Sequence, residues 1–197
     1  MTRTIDYYFA TVSPWSYLGH DRVVALAAAH GARLVPKPMN LGEVFPVSGG
    51  LPLAKRAPQR QAYRLVELAR WADYLGKPMH IQPRHFPANG TPAATWVLAA
   101  ADASEAGALA LAGAIHRALW EEERDVADAA TLAECARSCG LDADALAAQA
   151  PAMASRYAAL TQEAIDRGVF GAPSYVLDGE MYWGQDRLDF LARKLAK

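Results

Sequence analysis

The apolar run Ile5-Asp6-Tyr7-Tyr8-Phe9-Ala10 breaks off at Thr11-Val12-Ser13-Pro14 and gives way to a helix-like stretch from Asp21 to His30. This junction restricts the fold more than any other part of the chain. Proline suits the first turn of a helix because its missing N–H is not needed there, so a helix begins at Pro14. Ser13 then becomes its N-cap, a hydroxyl placed among unpaired N–H groups at the positive end of the helix dipole. Gly31 suits the C-terminal cap, and Ala32 to Met39 reads as a second strand. Residues 4 to 39 therefore predict strand (Thr4 to Ala10), helix (Pro14 to His30) and strand, a compact βαβ unit.

The far end supplies complementary pieces. Ser174 to Leu177 and Glu180 to Trp183 flank Asp178-Gly179, a hairpin turn, and a helix follows from about Gln185 to Leu195. Between the two ends the pattern is helical, near Arg60 to Leu75, Thr91 to Ala103, Ala106 to Glu122, Ala130 to Cys139, Asp142 to Ala148 and Ala152 to Arg167. Leu65, Leu68, Ala69, Ala72 and Leu75 keep one apolar face, and Thr91-Pro92 reads as N-cap and first helical residue. Two segments rich in Pro and Gly, Pro36 to Pro52 and Lys77 to Pro92, read as loops around a site. The expected organisation is an α/β domain from residues 1–40 and 168–197, with 41–167 as a mainly helical inserted domain.

Several function classes fall away on composition. Lys and Arg number 20 against 21 Asp and Glu, a net charge of -1, so no broad positive field draws nucleic acid or an anionic membrane. No apolar stretch reaches the roughly 18 uncharged residues that span a bilayer. The start of the sequence lacks the sections of a signal peptide, so a cytoplasmic location is expected. Cys135 and Cys139, four apart in a helix, form neither a redox Cys-x-x-Cys pair nor a zinc set, and read as small apolar residues. No metal is expected.

Taken alone, Ser13 reads as a helix cap. The nucleophile elbow Gly-x-Ser-x-Gly is absent and no histidine is placed by sequence to act as its base. Its further warrant lies in Gly168-Val169-Phe170-Gly171-Ala172-Pro173-Ser174-Tyr175, a glycine-flanked turn with proline just before a strand. A proline there, if cis, exposes backbone groups that pair with a peptide-like ligand as an added strand does.

These segments carry a resemblance. Tyr8 to Gly19, Ser48-Gly49-Gly50-Leu51-Pro52, Arg70-Trp71-Ala72, His85-Phe86-Pro87, Gly168 to Pro173 and Trp183-Gly184-Gln185-Asp186-Arg187 resemble the 2-hydroxychromene-2-carboxylate isomerase family over essentially the whole chain. That family stands beside the kappa-class glutathione transferases in the DsbA-like branch of the thioredoxin superfamily. The resemblance implies an α/β, thioredoxin-like fold with a large helical insertion. It also implies glutathione as cofactor, bound between the two lobes with Ser13, where redox relatives keep a cysteine, donating to its sulfur. A hydroxyl donor at a helix N-terminus favours thiolate over thiol, so the nucleophile would belong to glutathione.

By position, the resemblance assigns the backbone of Ala172, ahead of cis Pro173, to the cysteinyl part of glutathione. Gln185 and Asp186 would hold its γ-glutamyl end, and Arg60 its glycine carboxylate. Trp15, Tyr17, His85, Phe86 and Asn89 would line the substrate pocket, His85 as a candidate proton carrier and the aromatic residues as stacking surfaces. Trp183 is a further candidate wall, whereas Trp71 reads as core. Many relatives have Asn where this chain has Gly50, and Asn40 and Asn89 are the candidates to replace it. The expected activity is glutathione-dependent isomerisation of an aromatic or conjugated 2-oxo acid. The alternatives are a kappa-like transferase or peroxidase, or a non-catalytic thiol-binding or peptide-binding module. A small-molecule substrate is expected, and a homodimer is possible.

Overall fold

The computed structural model describes residues 2–197. Strand β1 (Thr4–Phe9) is followed by α1 (Pro14–Ala29) and β2 (Arg33–Pro38), which lies parallel to β1 in the register Thr4 to Arg33 through Phe9 to Pro38. Strands β3 (Ser174–Leu177) and β4 (Glu180–Trp183) form an antiparallel hairpin, and β3 runs antiparallel to β1, giving the sheet order β2-β1-β3-β4. Asp178 and Gly179 close that hairpin with φ of 52° and 80°, the left-handed pair a two-residue turn of this kind requires.

Ile5, Tyr7, Tyr8 and Phe9 of β1 are all 0% exposed, because helices cover both sides of the sheet. Strand alternation sends Ile5, Tyr7 and Phe9 into one cluster with Leu18, Val97, Ile115 and Leu191, and sends Tyr8 and Ala10 into another with Met39, Val44 and Ala164. The first cluster joins α1, α4 (Thr91–Ala103), α5 (Glu105–Trp120) and α9 (Leu188–Leu195) to the sheet. The second joins α2 (Leu41–Ser48) and α8 (Ala154–Asp166) to the opposite face. Helices α3 (Pro58–Leu75), α6 (Ala129–Ser138) and α7 (Ala143–Gln149) complete the middle of the chain.

Helix α2 corrects the reading of residues 36 to 52 as loop. Asn40 caps it by accepting the N–H of Gly42 at 2.9 Å, and Gly49 ends it at φ 77°. Pro46 lies inside and removes one hydrogen bond of the helix, a cost offset by burying Val44 against Met39 and Ala164. A smaller correction falls at α4, where Gly90 is the N-cap and Thr91 already stands inside the helix. Cys135 is buried and Cys139 partly so, and both are free thiols.

Where α1 crosses α5, two buried histidines meet edge to face at 5.3 Å, His20 and His116. His20 Nδ1 lies 3.3 Å from the Tyr7 hydroxyl and Nε2 lies 2.9 Å from the Leu109 carbonyl oxygen. Burial lowers the His20 imidazole to about 4, against the weaker opposing pull of the Leu109 carbonyl. Burial and the neighbouring His20 hold His116 well below the ordinary range, with the Ala10 carbonyl opposing weakly, and among the described residues neither ring nitrogen has a partner of full geometry. Once unfolded, both rings titrate near 6.5, so between pH 6.5 and about 4 the unfolded chain binds more protons and stability is lost as the pH is lowered. Calorimetric melting should therefore show a midpoint that drops steadily from pH 6.5 to 4, and His116→Leu should flatten part of that slope.

Candidate functional site

The β1 register extends past its last pair, Tyr8 with Ser174, so that Ala10 and Ala172 enter the same buried cluster. The sheet thereby sets the turn leading to Ser13 beside the Ala172–Pro173 peptide, whose bond is cis. Ser13 is the N-cap of α1 and only 5% exposed. Its Oγ accepts the Ser16 N–H at 3.3 Å, its N–H reaches the Ala10 carbonyl at 2.9 Å and its carbonyl accepts the Tyr17 N–H at 3.0 Å. Among the described residues the hydroxyl hydrogen itself meets no acceptor, and neither the N–H nor the C=O of Ala172 has a partner. A free hydroxyl donor at a helix N-terminus and an unpaired peptide beside it suit a small anionic, peptide-like molecule.

An aromatic edge closes this corner. Phe170 and Trp183 meet edge to face at 4.7 Å, and both are solvent-exposed. The indole lies so close over Gly171 that a Cβ there would collide with it, which explains the glycine ahead of Ala172. The Gly184 N–H anchors the strand end to the Pro173 carbonyl at 2.8 Å.

The other anticipated residues divide into those left open and those already engaged. Gln185 is 2% exposed, and Arg22 of α1 grips both its side-chain oxygen, at 2.6 Å, and its carbonyl, at 2.9 Å. Asp186 is exposed and pairs with Arg187 at 2.6 Å. Arg60 is exposed on the first turn of α3. Trp15 is half-buried at the start of α1, against the main core.

Tyr17 departs from the expected pocket role. It is 1% exposed, and its hydroxyl is held between the Pro78 carbonyl and Glu121, the latter at 2.8 Å. Burial and the Glu121 carboxylate push its phenol up, and the Lys77 ammonium lies 4.3 Å from its ring. Tyr17 is a strut between α1 and the segment after α3, because a helix turns its residue 17 away from the surface that carries its residue 15. Asn89 accepts the Thr91 N–H at 3.1 Å and shapes the entry into α4. His85 and Phe86 line an open depression with Arg84, Pro87 and Asp125. Phe86 also packs on Trp120 at 5.0 Å. The Gly90 carbonyl accepts from Thr11 Oγ1 at 3.0 Å, tying this loop to the turn before Ser13.

The sequence reading missed Arg22, since its partner Gln185 lies 163 residues away and only the packing of α1 against the last turn brings them together. The local signal was Gly19. A Cβ there would lie 2.8 Å from the Tyr175 hydroxyl and 2.9 Å from Gln185 Cβ, so α1 touches the Gln185 turn directly.

A four-stranded sheet carrying a capped helix N-terminus beside a proline turn defines a thioredoxin-type domain, and the chain belongs to the DSBA-like thioredoxin domain family, whose model matches residues 4–196. It is 34% identical to the 2-hydroxychromene-2-carboxylate isomerase of Sphingobium xenophagum over 97% of both chains. It is 30% identical to that of Pseudomonas putida, over 98% of this chain and 94% of the relative. The solved structure of selenomethionine 2-hydroxychromene-2-carboxylate isomerase superposes with a TM-score of 0.86 at 29% identity, over 98% of this chain and 94% of that one.

The close approach at Gly19 is directly testable. Gly19→Ala should destabilise the protein by about 1–3 kcal/mol, the usual cost of overpacking, read as a melting midpoint lower by several degrees.

Proposed function

We propose that this protein is a glutathione-dependent isomerase of aromatic or conjugated 2-oxo acids, acting as its relatives' name indicates. The observation that carries the reading is Ser13, a buried hydroxyl with an unspent hydrogen at the N-terminus of α1, beside the unpaired backbone of Ala172. Full-length relatives at 30% and 34% identity bearing the name 2-hydroxychromene-2-carboxylate isomerase support the same reading.

The residues present fit glutathione in part. Ala172 offers one N–H and one C=O to the cysteinyl unit, the pattern of a strand added to a sheet edge. Ser13 Oγ–H and the end of α1 stabilise negative charge on a sulfur placed between them, and so lower the thiol pKa. Gln185 reaches the ligand only through an exchange with Arg22, and Asp186 only by sharing its carboxylate with Arg187. Arg60, which has no acidic partner among the described residues, is free for a carboxylate. When bound, glutathione supplies a thiolate that adds reversibly to the substrate's conjugated bond, allows rotation about it and leaves again.

Ser13 keeps its hydrogen throughout, since it holds charge on another molecule's sulfur and does not attack. The Phe170 and Trp183 pair beside Gly171, and Trp15 and Phe86 against the core, are the aromatic surfaces available to a conjugated substrate. Ser13→Ala should lower kcat for glutathione-dependent isomerisation of 2-hydroxychromene-2-carboxylate by about a hundredfold, the scale seen when one preorganised donor is lost. It should also raise the pKa of bound glutathione, followed by thiolate ultraviolet absorbance. An isomerisation rate independent of glutathione and indifferent to Ser13→Ala would overturn the proposal. Conjugation of electrophiles without isomerisation would transfer the site to a transferase.

A further inference from the structure

Three arginines gather where α3 begins, and among the described residues they lack counter-ions. Arg56 stands just before the helix, Arg60 in its first turn and Arg64 one turn further along the same face. This is the positive end of the helix dipole, where acidic residues are stabilising, and the first turn holds none. The first acid of α3, Glu67, is taken by Arg70 at 2.9 Å. Among the described residues Arg56, Arg60 and Arg64 form no ion pair. Such a cluster costs stability unless something anionic joins it.

Two of the three are held in place by aromatic faces. The Arg56 guanidinium lies 5.7 Å from the centre of the Phe45 ring, and its Nε donates to the Leu51 carbonyl at 2.8 Å. The Arg64 guanidinium lies 5.2 Å from the centre of the Phe86 ring and, among the described residues, has no hydrogen-bond partner. Phe86 packs in turn on Trp120 at 5.0 Å, so the platform under Arg64 is anchored in the main core. Burial and the charge of Arg56 draw the Arg64 guanidinium down to about 10, and burial and Arg60 lower Arg56. Arg56 and Arg64 nevertheless stay cationic at neutral pH. A guanidinium seated on a ring keeps its N–H edge free, the geometry that grips a planar carboxylate through two parallel hydrogen bonds.

The loop that carries Phe86 is tied to the turn before Ser13. Phe86 is four residues from Gly90, and Gly90 is bonded to Thr11 and has no room for a side chain, since a Cβ would lie 2.8 Å from Thr11 Oγ1. We infer that Arg64, supported by Arg56, is the residue that binds the substrate's carboxylate beside the Phe86 ring, and so the source of this chain's preference for the carboxylate over a neutral analogue. The inference rests on the isomerase reading for its substrate class. It assigns Arg64 and Arg56 a carboxylate distinct from the glycine carboxylate of glutathione, which falls to Arg60.

A binding measurement independent of turnover tests it. Chromone-2-carboxylate and chromone-2-carboxamide are titrated against the intact protein with saturating glutathione, following tryptophan fluorescence. The native protein should prefer the carboxylate by about tenfold or more, as a charge-assisted bidentate contact predicts. Arg64→Leu should bring that ratio close to one while glutathione affinity stays within about twofold, and Arg64→Lys should retain an intermediate preference because it keeps the charge and loses the fork. If Arg64→Leu does not fold, judged by circular dichroism, Arg64→Lys and Arg56→Leu carry the test.

No carboxylate preference in the native protein overturns the inference, as does a preference that survives Arg64→Leu. A fall in glutathione affinity equal to the fall for the carboxylate also overturns it, by assigning Arg64 to the tripeptide. The two proposals fail separately. Selective carboxylate binding without glutathione-dependent isomerisation would sustain the arginine site and sink the isomerase reading. Isomerisation without carboxylate preference would do the reverse.

Discussion

Burial of β1 on both of its faces is the constraint on which the rest of the structure depends. Ile5, Tyr7, Tyr8 and Phe9 have no access to solvent, so helices must cover both faces of the strand, and every hydrogen-bonding edge must be met by β2 on one side and β3 on the other. Once β1 is fixed centrally, its C-terminal end becomes the one place where the chain can leave the sheet and start α1 against it. The hairpin that satisfies its other edge brings Ala172 and Pro173 to that same end. The candidate site is thus a consequence of strand pairing, assembled from residues 13 and 172 because both flank the end of one strand.

Around that strand the protein tolerates polar groups that the core disfavours. His20 and His116 are buried as neutral rings, and among the described residues the Tyr175 hydroxyl and Ser16 Oγ are buried without partners. Their position beneath α1 couples the helix that carries Ser13 to α5 and to the last turn of the chain through Arg22 and Gln185. At the start of α3, Arg56, Arg60 and Arg64 repeat the pattern with charge, since interactions that lower stability in isolation are concentrated where a ligand is expected.

Much of this could be read in advance. The Ser-Pro junction, the Asp-Gly hairpin turn and the helical spacing of the middle segment are local signals, and the elements stand within a few residues of where those signals put them. Helix α2 was hidden because Pro46 and the flanking glycines are also what a loop contains, and only its packing against α8, through Val44 and Ala164, selects the helix. Tyr17 was misplaced because two aromatic residues two positions apart look equivalent in a sequence, while a helix turns them about 200° apart. Arg22 and Arg64 were overlooked because nothing adjacent to an arginine records whether an acid lies across the fold.

The sequence by itself determined the elements other than α2, the capped start of α1, the cis-compatible proline turn and the family to which the chain belongs, since these rest on contacts between residues close along the chain or on motifs carried whole. Tertiary structure alone decided which hydroxyl hydrogens and peptide groups remain unpaired, which aromatic side chains are struts, and which arginines stand without counter-ions. Those are properties of pairs brought together by packing. Burial makes them matter, because a donor or a charge removed from water is costly until a partner meets it.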